Sequence, residues 1–170
     1  MTGQKEIKNK FERNFKALKL KPTLGIGTGR SKTRIVDGLS CVSTEGNWEL
    51  KTDMPVQAGG SGSAPAPGVL GRAALGSCLA IGYMLWASRL DVAIDSLEVD
   101  IEADYDDGAL FGSSDAYPGY LEIRYKIRIE SNAPRVQIEE VIDQGDKHSP
   151  YLDVFSRAQA CKREIEIINH

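Results

Sequence analysis

Soft metal-ligating chemistry is scarce in this chain, which has three cysteines and two histidines in 170 residues. With no Cys-x-x-Cys pair and the histidines isolated at 148 and 170, a zinc site is not expected. Cysteines at 41, 78 and 161, an odd number far apart, do not make a disulfide framework either. Reduced thiols and no cofactor are the expectation. Positive charge is also short, with 21 Lys and Arg against 24 Asp and Glu and a net charge of -3. No broad positive field is available for nucleic acid or an anionic membrane, and neither is expected as a partner. Met1 to Lys10 is polar and lysine-rich, with no apolar core and no small-residue cleavage site, which predicts a cytoplasmic protein. Long hydrophobic runs are nearly absent. Val69 to Ala87 alone approaches membrane-span length, but it carries Arg72, Ser77 and three glycines, so a core helix is favoured over a span. Gly25 to Thr33 is glycine-rich and basic yet lacks the Walker spacing, and it reads as a mobile connection.

Composition is that of an ordinary globular chain, 41% hydrophobic and 26% charged, long enough for one real core. A single domain, 1–170, is expected. Within it, 1–34 holds an N-terminal helix and the mobile basic segment, and 35–170 forms the core. Ile7, Phe11, Phe15 and Leu18 recur at helical spacing within Gln4 to Leu20, one face of a helix suited to docking on a neighbour or a second copy. Ile35 to Val42 and Trp48 to Asp53 flank Ser43 to Asn47 and predict a hairpin, followed by a loop from Met54 to Gly68 rich in Gly, Pro, Ala and Ser.

Pro67 suits the start of a helix, since the N–H it lacks would be unpaired there. The helix from Gly68 to about Leu90 is apolar all round, which predicts burial on every face, within a domain or between subunits. Gly71, Gly76 and Gly82 weaken it by about 1 kcal/mol each relative to alanine, a cost that fits close approach of other backbone or a ligand. Cys78 lies within this helix. A thiol so placed is an inert small hydrophobe unless a cation or a helix end makes it a thiolate.

Leu97, Val99, Ile101, Ala103 and Tyr105 alternate with acidic residues, and Leu121, Ile123, Tyr125, Ile127 and Ile129 alternate with mostly basic ones. These are two strands of an antiparallel pair, each with one dry face, and their outer charges are complementary. Asn132-Ala133-Pro134 opens an amphipathic helix to about Lys147, and Glu164 to Ile168 reads as a closing strand. The class is α+β, with helices covering antiparallel sheet.

Several segments together resemble the OsmC/Ohr superfamily of thiol-dependent hydroperoxide reductases. They are Ala73-Ala74-Leu75-Gly76-Ser77-Cys78 after a Pro/Gly-rich lead, the Leu97 to Tyr105 strand, the strand ending in Ser131-Asn132-Ala133-Pro134-Arg135, and Asp146-Lys147-His148-Ser149-Pro150. The resemblance implies an intertwined homodimer in which antiparallel sheets surround long central helices. It also implies an active site at the subunit interface and a peroxidatic cysteine matched by Cys78. Two departures stand out. The family's resolving cysteine falls on Ser149, which cannot form a disulfide, and the glutamate after the helix-opening proline falls on Gly68. The resemblance also implies a thiol-activating arginine from the segment before the hairpin, where Arg30 and Arg34 are the candidates; Arg72, six residues before Cys78, is off its helical face.

Cys41, in a strand, and Cys161, in a loop, substitute as resolving thiols only if folding brings one within disulfide reach. His148 fits a helix-end role better than a catalytic one. Two functions follow. One is a one-cysteine peroxidase of the oxidative stress response, in which Cys78 reduces an organic hydroperoxide and an external thiol reductant restores it. The other is a non-catalytic protein that binds an apolar small molecule in a dimer-interface pocket, with Cys78 in its wall.

Overall fold

A computed structural model describes residues 3–169; His170, the second histidine, lies outside the described residues. Helix α1 (Gln4–Leu20) is followed by a 3-10 turn at Pro22–Gly25 and an exposed coil to Ser31. Strands β1 (Lys32–Asp37), β2 (Ser40–Glu45) and β3 (Trp48–Thr52) form an antiparallel sheet in sequence order. The stretch Ile35 to Val42 is therefore two strand segments rather than one. Asp37 and Ser40 flank Gly38 and Leu39, and Gly38, at φ +51°, takes the left-handed turn that a residue with a Cβ resists.

Helix α2 (Pro67–Arg89) carries Cys78, and Pro67 stands in its first turn as expected. Strands β4 (Ser96–Asp104) and β5 (Glu122–Glu130) pair antiparallel, joined by a segment that includes the short helix α3 (Asp107–Leu110). The alternation read in the sequence is realised in the register. Leu97 faces Ile129, Val99 faces Ile127 and Ile101 faces Tyr125, while Glu98 faces Arg128 and Glu102 faces Arg124. Arg124 donates to Asp104 at 2.6 Å and Arg128 to Asp100 at 2.5 Å, closing the charged outer face. Helices α4 (Arg135–Lys147) and α5 (Pro150–Ser156) follow.

The core forms where α2 lies between β4, α4 and α5. Leu75, Leu79, Tyr83 and Ala87, spaced four apart, make its buried stripe, joined by Val92 and Val141. One helical glycine marks close approach, since a Cβ at Gly76 would stand 3.3 Å from Ile101, whereas one at Gly82 would make only ordinary contact with the Gly145 carbonyl at 3.9 Å. By length and composition α2 would also cross a bilayer, but its stripe is packed against β4, α4 and α5.

Two expectations are corrected within one chain. Burial of α2 on every face is not met within one chain, because Ile81 is 62% exposed and Val69 and Leu85 are also open. The elements of one chain are enough to cover only one side of it. Glu164 to Ile168 is coil and not a strand, since no edge of either sheet pairs with it, and Ile165, Ile167 and Ile168 are exposed. The apolar face of α1 takes the first of its two expected places, docking on a neighbouring element, α2 of its own chain. The Gln4 amide caps the carbonyls of Ala87 and Val92, Lys8 pairs with Asp91, and Phe11 meets Trp86 edge-on at 5.3 Å. The Arg89 guanidinium lies over Phe11, Phe15 and Trp86 and bonds Glu12 at 3.1 Å.

Candidate functional site

Cys78 projects from the middle of α2, half-buried. Its Sγ lies 3.5 Å from Ser149 Oγ, across 71 residues of sequence. Ser149 is itself buried and caps α5, its Oγ accepting the Leu152 N–H at 3.3 Å. A hydroxyl has one proton and two lone pairs. With a lone pair committed to Leu152, the proton is free to point at sulfur, and a thiolate accepts that bond better than a thiol does.

Ser149 reaches this place because the last turn of α4 is gripped from two sides. Tyr83 Oη donates to Asp146 Oδ1 at 2.6 Å and Tyr125 Oη donates to Oδ2 at 3.0 Å. Burial first, and the bond to Asp146 second, push both phenols above the usual tyrosine range, so both stay protonated donors. Gly145 lies against the Tyr83 ring so closely that an added Cβ would stand 2.3 Å from it. His148 stacks on Trp86 at 4.8 Å, and its Nδ1 meets the Gln144 carbonyl at 2.8 Å, the helix-end role expected of it. Sequence reasoning missed Tyr83, Tyr125 and Asp146. The available signal was a lone tyrosine in an otherwise apolar, buried stretch, whose hydroxyl needs a partner.

The lead into α2 is fixed by Asp53, which is only 1% exposed. Its carboxylate accepts from Met54 N, from Ser61 N and Oγ, and from Ser63 N and Oγ, at 2.5 to 3.2 Å. The Ser61 hydroxyl above all, then the Ser63 amide, hold this carboxyl well below the usual carboxylate range. Gly68, at the family's glutamate position, has its carbonyl bonded by Tyr120 Oη at 3.0 Å. A Cβ there would stand 3.5 Å from Arg72 Nη1, so the arginine facing the empty position is Arg72.

Within one chain the fold brings Cys78 and Ser149 together and leaves the other candidates apart. Arg30 is exposed in the coil before β1, and Arg34 is exposed on β1 opposite Val42. Cys41 sits on β2 opposite Ile35 and Thr52, and Cys161 is exposed in the C-terminal coil; all three thiols are free. A groove of about 500 Å³ runs between β5 and α5, lined by Leu75, Tyr120, Glu122, Tyr125, Phe155 and Ser156 among others, and by neither Cys78 nor Ser149. Leu75 is one helical turn before Cys78, and Leu152 is one turn past Ser149.

No curated protein matches this sequence. Solved structures do share the fold. An OsmC-like protein from Mycoplasma pneumoniae superposes with a TM-score of 0.66 at 18% identity, covering 76% of this chain and 88% of that one. An organic hydroperoxide resistance protein OsmC from Legionella pneumophila gives 0.55 at 16% identity, covering 76% and 90%. An organic hydroperoxide resistance protein from Elizabethkingia anophelis gives 0.55 at 14% identity, covering 75% and 87%. The sequence pattern of one family, described as OsmC-like protein, extends over residues 60–164, from the loop before α2 through α5 into the C-terminal coil. With Cys78, Ser149 and the whole of the α2 core inside that match, the chain belongs to the OsmC-like protein family.

Proposed function

We propose that this protein is a one-cysteine thiol peroxidase acting on organic hydroperoxides. The observation that carries the reading is Cys78 Sγ lying 3.5 Å from the Ser149 hydroxyl, with a groove of mixed polar and apolar lining one helical turn away. Two of the similar folds are named organic hydroperoxide resistance proteins, which supports the substrate class.

In the first step the Cys78 thiolate attacks the distal peroxide oxygen. An S–O bond forms, the O–O bond breaks, and the alkoxide leaves with a proton as the alcohol, so sulfur is oxidised to sulfenic acid. Ser149 has no thiol, and so cannot discharge it. A first external thiol displaces water to give a mixed disulfide on Cys78, and a second thiol releases the free cysteine and an external disulfide. The proton of Ser149 Oγ serves both sulfur species as a hydrogen-bond donor. The activating cation is assigned to Arg30 or Arg34 of a second subunit, since neither lies at the thiol of its own chain.

A homodimer belongs to this proposal. The β1–β3 sheet makes at most glancing contact with any other element of its own chain, and Trp48 on it is 79% exposed. Only Val42 and Thr52 of these strands are buried, less burial than stabilises a small sheet on its own. The uncovered flank of α2 and the exposed C-terminal isoleucines offer it surfaces on a second copy.

Treatment with stoichiometric cumene hydroperoxide, followed by sulfenic-acid trapping and mass spectrometry, tests the chemistry. The adduct is expected on Cys78 and is absent from Cys78→Ser. An unmodified Cys78 with unchanged thiol content would end the enzymatic reading. The second reading, a binder of apolar small molecules with Cys78 in the wall of its pocket, would then remain.

A further inference from the structure

We infer that Asp146 is a positioning residue, whose two tyrosine bonds hold Ser149 within reach of Cys78. The inference rests on the proposed site only in taking Cys78 and Ser149 as its pair. Each end of the argument is geometric. Asp146 occupies the last turn of α4, and its carbonyl accepts the Ser149 N–H at 3.2 Å, so the residue that presents Ser149 is the one whose carboxylate is clamped. The clamps come from two elements. Tyr83 lies on α2, five residues past Cys78, and is fully buried; Tyr125 lies on β5.

Because α2 carries both the thiol and the Tyr83 clamp, rigid-body shifts of the helix move them together. The remaining freedom is sliding or rotation of the α4 end along α2. Three contacts oppose it: the Tyr83 ring against Gly145, the two bonds to Asp146, and the stack of His148 on Trp86. Of these the Asp146 bonds are directional, and the carboxylate oxygens are engaged one to each phenol. Loss of the carboxylate leaves two phenols on α2 and β5 without their acceptor and frees the turn that carries Ser149.

A disulfide reporter separates positioning from stability. In Ser149→Cys, the effective molarity of the introduced thiol toward Cys78, measured by equilibration with glutathione buffers, reads the relative placement of the two side chains. Adding Asp146→Ala is expected to lower it at least about tenfold, since a displacement near 1 Å costs up to ~100-fold in comparable intramolecular reactions. Tyr125→Phe, which keeps the ring and removes one hydroxyl, is expected to lower it about threefold. Asp146→Asn can still accept from one phenol and donate to the other, and is expected to restore most of the loss. Far-UV circular dichroism on every variant establishes that the fold is kept. If Asp146→Ala does not fold, Tyr125→Phe carries the test. Unchanged effective molarity in Tyr125→Phe and in folded Asp146→Ala, or Asn no better than Ala, overturns the inference. So does failure of the parent reporter to form the bond at all. None of these readouts uses peroxide, so they stand or fall separately from the trapping of sulfenic acid on Cys78.

Discussion

Ser149→Cys should turn the site into a disulfide-forming one, and the gain can be worked out from the geometry. Replacing Oγ with Sγ puts two sulfurs where Sγ and Oγ now lie 3.5 Å apart, and closing to the disulfide bond length of about 2.05 Å requires a shift of roughly 1.5 Å, within the reach of side-chain rotation. The bond would close a loop over the 71-residue separation of the pair. In the chain-entropy treatment this removes roughly 15 cal/mol/K from the unfolded state, or about 4.4 kcal/mol at room temperature. Loss of the serine cap on α5 returns about 1 kcal/mol. The net of about 3 kcal/mol corresponds to a rise of roughly 6 to 12 °C in Tm from wild type to the oxidised variant, at ~2 to 4 °C per kcal/mol for a chain of this size. Thermal melts of both forms, with thiol titration before and after oxidation, provide the assay. Oxidation should consume only Cys78 and the introduced thiol, with Cys41 and Cys161 still free by peptide mapping. A folded, oxidised protein in which Cys78 is not linked to the substituted position, or one whose melting point does not rise, would refute the reasoning.

Gly68→Glu should stabilise the start of α2 by about 1 kcal/mol, because the change replaces a poor helix former, adds an acid to the first turn and places it four residues before Arg72. Calorimetry checks it, and a Tm at or below that of wild type would contradict the placement of Arg72. Arg89→Ala removes a cation held over three aromatic rings together with its bond to Glu12, and should loosen α1 by about 1 to 2 kcal/mol. Faster tryptic cleavage in the lysine-rich α1, with α2 still protected, is the expected readout; cleavage at the wild-type rate would show that the cage contributes little. Asp53 gives an acid-sensitive loop. Its carboxyl titrates lower in the fold than in the unfolded chain, so its contribution is complete above the usual value near ~3.9 and shrinks as pH falls from there toward the native value. Protection factors of the Ser61 and Ser63 amides should therefore fall from about pH 4 downward, and equal protection at about pH 6 and pH 2.5 would contradict this.

Legibility in the sequence followed the kind of information each element needs. The β4–β5 pair was readable residue by residue, because alternation between Leu97 and Tyr105 and between Leu121 and Glu130 specifies which side is dry whatever lies above it. The same was true at Pro67 and at Asn132-Ala133-Pro134, where local backbone chemistry sets the helix start. The Asp37-Gly38 turn was there to be read and was hidden by the apolar residues around it, which resemble one strand. Glu164 to Ile168 has the right alternation, but a strand exists only with a partner, and one chain supplies none. The proximity of Cys78 and Ser149 was not written in either segment; only the family resemblance linked them. Asp146 stood out only as the first residue of the Asp146-Lys147-His148-Ser149-Pro150 segment, and its clamping was not legible because its two tyrosine partners lie 63 and 21 residues away.

The thinly covered β1–β3 sheet, in the proposed homodimer, bears on how the protein would live in solution. Were the strands to gain their cover from a second copy, as proposed, folding would be a second-order affair, in which dilution acts like a denaturant and melting temperature climbs with concentration. A freshly synthesised copy would pass through an interval with Trp48, Leu50 and Ile35 bared to its surroundings, prone to sticking to the wrong surface before it meets the right one.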